Sequence, residues 1–227
     1  MQDNCSRCPS LCASRTQIVQ PDTPDFGRPC HLLVIGEAPG ADEDRQGRGF
    51  VGRSGRMLHH LLEEQGLRRG HDYGCANIVR CRPPENRKPT AEEIWNCIPH
   101  LADIILQVHP KVLLLVGGTA VSVFLGGGTL AHQVAASRGF PAVRFGRFSP
   151  SHQILAEALA ALEEMVAIPM PHTSPLAWNR KSKEGTPWSV IGREQVKRAA
   201  QWTKRQPPGP ITELITDFPD FSPREAT

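Results

Sequence analysis

Three uninterrupted apolar runs limit what this chain can fold into: His31–Ile35 (HLLVI), Lys111–Val116 (KVLLLV) and Val166–Met170 (VAIPM). Each is short, and the first two end directly in glycine, so they read as buried strands rather than helices. Tyr73–Val79 is a fourth candidate strand. Helical stretches separate them. Ser54–Gln65 places Met57, Leu58, Leu61 and Leu62 on one face, and Thr90 with Glu93 forms a capping-box pattern opening a helix to about Val108. Thr119–Leu125 is stopped by Gly126-Gly127-Gly128, Ser151–Met165 is amphipathic, and Ser189–Arg205 is a basic helix. Strands alternating with helices predict an α/β chain whose parallel sheet is covered on both faces. In such sheets the loops at the C-terminal strand ends build the site.

The 227 residues fit one domain over 1–205. From Gln206 the chain turns proline-rich and loses periodicity, which predicts a mobile tail over 206–227. The formal charge of +3, from 26 basic and 23 acidic residues, permits nucleic-acid binding but argues for it only with a local basic patch. No stretch approaches the ~20 apolar residues of a membrane span. Met1–Pro9 is polar and carries cysteine, unlike an export signal, so the expectation is a soluble cytoplasmic protein. An odd set of seven cysteines in a reducing compartment suggests metal ligation or buried thiols rather than disulfides.

Three polar signals stand at strand ends. The first is Gly36-Glu37-Ala38-Pro39-Gly40, followed by Asp42, Glu43 and Asp44. Glycines after a strand let a ligand approach the backbone; the alternative is a tight turn with a solvated acidic run. A phosphate loop is disfavoured, because the Lys-Ser/Thr of a P-loop and the dinucleotide glycine pattern are both missing. Phe50, between glycines in Gly47–Gly52, is either a core plug or a stacking platform for a planar ligand. Asn77 opens the second signal, NIVRCRPPENR; its amide is donor and acceptor at once and suits a pyrimidine edge, while a structural cap is the plainer alternative.

The third signal is His172-Thr173-Ser174-Pro175-Leu176-Ala177-Trp178-Asn179-Arg180-Lys181. It sets an apolar wedge, Leu176 or Trp178, beside the cations Arg180 and Lys181, a combination suited to intrusion into a base stack. Lys183, Arg193, Lys197, Arg198, Lys204 and Arg205 add a basic strip that is either phosphate-facing or a solvated helix face. Cys5 and Cys8 form a CxxC, with Cys81 and Cys97 further on. Four thiolates on such segments suit an iron–sulfur cluster or zinc equally well. Cys12, Cys30 and Cys75 read as ordinary thiols.

GEAPGADEDRQGRGFVGRSG, NIVRCRPPENR and the C-terminal histidine motif together resemble the family 4 uracil-DNA glycosylases, the thermostable-type iron–sulfur members of their superfamily. The similarity covers about residues 3–180. It implies a three-layer α/β/α sandwich around a four-stranded parallel sheet. It also implies a structural [4Fe–4S] cluster on Cys5, Cys8, Cys81 and Cys97. By this resemblance Glu37 lies beside the sugar and the attacking water, Phe50 stacks on uracil, Asn77 reads its polar edge and His172 faces its O2. The backbone of Gly36, Ala38, Pro39 and Gly40 lines the pocket. The chain departs from the family at His172-Thr173, where His-Pro is usual. Its His-x-Ser-Pro-Leu stretch is similar to the intercalating loop of the classical uracil glycosylases.

The expected activity is therefore flipping of uracil from single- or double-stranded DNA and hydrolysis of its glycosidic bond, by a monomer. Two other readings stay open at this point: a glycosylase acting mainly on hypoxanthine or xanthine, and an iron–sulfur DNA-binding module without catalysis.

Overall fold

A computed structural model of the protein describes residues 4–24, 30–139, 153–162 and 165–204. Four strands, β1 (Leu32–Gly36), β2 (Tyr73–Asn77), β3 (Val112–Val116) and β4 (Val166–Met170), form one sheet in the order β2-β1-β3-β4. Every pairing is parallel: Leu32 lies opposite Tyr73 and Val112, and Val112 opposite Val166. The apolar runs are solid because both faces of the sheet are covered, so successive side chains enter different cores.

Leu33, Ile35, Leu113, Leu115 and Ala167 face one core. There they meet Ile98, Leu101 and Ile105 of α4 (Ala91–Val108), Phe124 of α5 (Gly118–Leu125), and Leu155 and Leu159 of α7 (Gln153–Ala160). Leu32, Val34, Leu114, Val116, Ile168 and Met170 face the other. Their partners are Leu58, Leu61 and Leu62 of α3 (Arg53–Glu63), and Val196, Ala199 and Ala200 of α9 (Trp188–Lys204). The expected three-layer α/β/α sandwich is what the chain adopts.

The capping box of α4 is made as its sequence predicts. The Thr90 hydroxyl accepts from the Glu93 amide at 3.2 Å, and the Glu93 carboxylate accepts from the Thr90 amide at 2.7 Å. Arg87 clamps the same carboxylate with two bonds of 2.9 and 2.7 Å. Such a cap is worth about 1 kcal/mol, and here it also fixes the loop that leads from β2 into α4.

Several elements differ from the expectation. Strand β2 ends at Asn77 rather than Val79, although Ile78 and Val79 still donate to the carbonyls of Gly36 and Glu37 at 2.9 and 3.1 Å. The ladder therefore fades gradually, and Asn77 takes its last register position, opposite Gly36. The loop 36–55 contains an unexpected helix, α2 (Ala41–Gln46), and short helices α1 (Pro9–Ser14) and α8 (Pro175–Trp178) also escape periodicity. A further helix, α6 (Leu130–Gly139), occupies part of the unassigned stretch after Gly128. The ends of the expected helix 151–165 fall partly outside the described residues, as does Arg205 with the whole of the proline-rich stretch 206–227. Among the described residues no helix is long and apolar enough to cross a membrane.

Candidate active site

At the C-terminal edge of the sheet a cleft of about 380 Å³ opens, lined by Gly36, Glu37, Ala38, Gly40, Phe50, Asn77 and His172 among others. Three strand ends thus deliver residues far apart in sequence to one cavity. Pro39 is buried behind this wall and is not among the lining residues.

Gly36 is there because nothing larger fits. A Cβ on it would stand 2.5 Å from Asn77 Oδ1 and 2.7 Å from Phe50 Cζ. The bare backbone lets the amide and the ring close over the end of β1. Phe50 holds a left-handed backbone, φ 60°, and Gly55 makes room for it: a Cβ on Gly55 would lie 2.2 Å from the Phe50 carbonyl oxygen. The acidic run is not a solvated face. Glu43 accepts from the amides of Gly40 (3.1 Å) and Gly52 (2.7 Å), binding the two glycine loops to each other. Asp44 is buried and accepts from the amides of Thr16 at 2.9 Å and Gln17 at 3.3 Å.

The His172 ring is oriented by its own loop. The Ser174 amide donates to Nδ1 at 3.0 Å. An N–H donor on Nδ1 requires that nitrogen to be the acceptor, so the ring proton sits on Nε2. Burial pushes the pKa of His172 down, against an opposing pull from Glu37, so the imidazole is neutral. The neighbouring Thr173 is buried, and its hydroxyl donates to the Ser54 carbonyl at 2.8 Å, pinning the histidine loop to the first turn of α3. Glu37 accepts a short hydrogen bond from the Thr119 hydroxyl at the start of α5. Sequence reasoning missed Thr119, since a threonine in a first helical turn reads as an ordinary capping residue.

The apolar candidates of the histidine loop separate clearly. Leu176 is 72% exposed, whereas Trp178 is 7% exposed and belongs to the core under α9. Gly192 admits its ring, for a Cβ there would lie 2.4 Å from the indole. Trp178 is therefore a buried anchor of the loop and not an exposed wedge. Arg180 and Lys181 are exposed beside it. Much of the anticipated basic strip is engaged within the fold: Arg193 pairs with Glu64 at 2.8 Å, Arg198 bonds Gln195 at 3.0 Å, and Lys204 donates to the Gln65 carbonyl at 2.6 Å.

Cys5 and Cys8 on the lead-in, Cys81 beyond β2 and Cys97 in α4 are electrostatic neighbours. Arg15 donates to Cys81 Sγ at 3.0 Å and to the Cys5 carbonyl at 2.8 Å, and Asn96 approaches Cys8 Sγ at 3.6 Å. Burial pushes the thiols of Cys8, Cys81 and Cys97 up. Among the described residues no three His, Cys, Asp or Glu side chains form a group that could hold a metal ion. Cys30 and Cys75 lie in the core, their pKa values raised by burial to about 11 and about 12.

Comparison with known proteins places these features in a family. The uracil DNA glycosylase superfamily model matches residues 24–192. A type-4 uracil-DNA glycosylase of Thermotoga maritima is 42% identical over 123 residues, 54% of this chain and 62% of that protein. One of Pyrobaculum aerophilum is 38% identical over 114 residues, 50% of this chain and 56% of the relative. One of Sulfurisphaera tokodaii is 39% identical over 116 residues, half of each protein. The matched stretch thus spans between half and about three-fifths of the length of these relatives.

Proposed function

The chain belongs to the uracil-DNA glycosylase superfamily, and from that premise we propose that it removes uracil from DNA, as a base-excision repair enzyme with the reaction of its type-4 relatives. The bond between C1′ of the sugar and N1 of uracil breaks, water adds to C1′, and free uracil and an abasic site result. The observation that carries this reading is the convergence of a neutral histidine, a carboxylate, an amide and an aromatic ring on one cleft.

Bond cleavage puts positive charge on the sugar and negative charge on uracil. The Nε2–H of His172 donates to O2 as the anion develops. A preorganised donor of this kind contributes roughly 3 kcal/mol, by analogy with an oxyanion hole. Glu37, oriented by Thr119, stabilises the cationic sugar and positions the water. Asn77 reads N3–H and O4 of uracil; cytosine presents the reverse donor and acceptor pattern there. Phe50 stacks on the base and bars the methyl group of thymine. Base flipping costs a few kcal/mol, and Leu176, the exposed apolar residue of its loop, fills the vacated stack while Arg180 and Lys181 meet phosphates.

A [4Fe–4S] cluster on Cys5, Cys8, Cys81 and Cys97 belongs to the same proposal. The donor set is four thiols with two guanidinium groups against them. Arg80 is 6% exposed, has no carboxylate partner among the described residues, and leaves Nε unbonded. A buried cation that bonds only neutral groups, the Gln20 amide at 3.5 Å and the Cys97 side chain, is costly, and an anionic thiolate cluster would answer it. Bound there, the cluster supplies structural cross-linking of the lead-in to β2 and α4.

The decisive experiment measures excision from single-stranded oligonucleotides containing uracil, hypoxanthine or xanthine, with Asn77→Ala and His172→Ala beside the native chain. Uracil excision that drops in both variants is expected; unchanged excision in both refutes the pocket assignment, and a preference for either purine refutes the choice of base. Metal analysis and absorption of anaerobically purified protein test the cluster, and a colourless, zinc-loaded, active protein refutes it.

A further inference from the structure

Behind Phe50, away from the cleft, lies a polar array that the proposed reaction does not use. The guanidinium of Arg69 makes three directed contacts: Nε to Asp22 Oδ2 at 2.5 Å, Nη2 to the Gly49 carbonyl at 2.5 Å, and Nη1 to His59 Nε2 at 2.8 Å. Its side chain is 14% exposed. His59 Nδ1 lies 2.8 Å from the Tyr73 hydroxyl, and Nε2 lies 3.1 Å from the Phe50 carbonyl. Arginine is a donor only, so Nε2 accepts, and the imidazole proton sits on Nδ1, toward Tyr73. The His59 ring is stacked on Tyr73 and tilted against Phe50, with centroids 5.9 and 6.3 Å apart.

The residue in front of this array is held in an unfavourable backbone conformation. A non-glycine residue at φ 60° persists only where its surroundings over-determine it. Arg69 grips the carbonyl just before Phe50 and braces the imidazole whose ring packs, tilted, against the Phe50 ring. Asp22 does not depend on Arg69 alone, because Arg48 also pairs with it at 3.0 Å.

We propose that Arg69 is a positioning residue that, through the Gly49 carbonyl and His59, locks the Phe50 ring in its stacking position before the base arrives. The inference rests on the reading of Phe50 as the wall against uracil. Its consequence is specific: loss of the guanidinium fork weakens base binding and leaves the bond-breaking groups, Glu37 and His172, in place.

The test is steady-state excision of uracil from a single-stranded oligonucleotide, with free uracil as a competing product, for Arg69→Met, Phe50→Ala and the double variant. Arg69→Met is expected to raise KM and the uracil inhibition constant about tenfold, the equivalent of one to two net hydrogen bonds, with kcat within threefold. In the Phe50→Ala background the same substitution is expected to change either constant less than twofold. A merely structural role would lower kcat regardless of Phe50. Arg69→Lys keeps the charge but cannot serve Gly49 and His59 together, so it is expected to resemble Arg69→Met; it carries the same test if Arg69→Met does not fold. The proposal is overturned if both constants stay within twofold in Arg69→Met, if the effect is undiminished in the Phe50→Ala background, or if lysine restores native values. If Phe50→Ala itself leaves uracil inhibition unchanged, the stacking reading falls first, which separates the two failures.

Discussion

Replacing Gly36 by alanine puts one methyl group where the cleft has least room. The backbone of Gly36 is regular strand, so the cost is steric rather than conformational. The new Cβ would stand 2.5 Å from Asn77 Oδ1 and 2.7 Å from Phe50 Cζ. Restoring ordinary contact moves the amide by ~0.9 Å and the ring by ~0.7 Å. Both obstructing atoms are tips of side chains, so the fold yields, and overpacking costs about 1–3 kcal/mol. The groups that yield are the ones assigned to the base, and displacing a positioned group by ~1 Å costs on the order of 100-fold in rate. Gly36→Ala is therefore expected to unfold at only moderately lower urea concentration while its single-turnover excision of uracil falls about 100-fold. Gly55→Ala provides the contrast, because its Cβ would strike the Phe50 backbone at 2.2–2.5 Å, which cannot step aside. That variant is expected to lose stability at or above the upper end of the roughly 1–3 kcal/mol range. Excision by folded Gly36→Ala within threefold of native would refute the placement of Asn77 and Phe50 over the strand end.

Thr119→Val preserves shape and removes the hydrogen bond to the Glu37 carboxylate. A hydrogen bond to a charged group is worth about 1.5–3 kcal/mol, so kcat for uracil excision should fall between about 10- and 100-fold with little change in the denaturation midpoint. Leu176→Ala should lower excision from double-stranded DNA several-fold more than from single strands, in paired single-turnover assays, because only a duplex leaves a gap to fill. Trp178→Ala should act on stability instead, by about 3–5 kcal/mol for a buried aromatic residue, read by urea unfolding. Burial and Arg69 lower the pKa of His59 to about 4 from 6.5. Between those values the unfolded chain takes up a proton that the fold refuses, so this contribution is complete above pH 6.5 and is lost as pH falls toward 4. With the ring partly exposed, about 1–2 kcal/mol is expected, and His59→Leu should flatten urea-measured stability across that window.

The sheet was legible in the sequence because each strand is covered on both faces, which turns Leu32–Ile35 and Val112–Val116 into unbroken apolar runs. Helix α2 was not, since Ala41–Gln46 has no apolar stripe. It is held by carboxylates instead: Glu43 on Gly40 and Gly52, Asp44 on Thr16 and Gln17. The strand-end residues were visible as types, but their supports were not. Thr119 is far from Glu37 in sequence, and Arg69 reaches Phe50 only through folded backbone. For Leu176 and Trp178 the local sequence offers two comparable apolar residues. The choice between them is made by Gly192 in α9, whose missing side chain makes the hole for the indole.

The same distinction explains how the loop at His172 departs from the family's usual His-Pro without disturbing the histidine. Proline at the second position would stiffen the chain through its ring. Thr173 ties it down by a side-chain bond, from its buried hydroxyl to the Ser54 carbonyl in α3. The group that sets the histidine tautomer is the amide of Ser174, one residue further on, and that amide is present whichever residue stands at 173. The proton on Nε2 is therefore fixed by backbone, and the substitution changes how the loop is anchored rather than what the imidazole can donate. Anchoring through α3 has a further consequence, since Gly55 of the same first turn lies against the Phe50 backbone. The imidazole and the aromatic ring, which line the same cleft, are thus both referenced to a single helical turn.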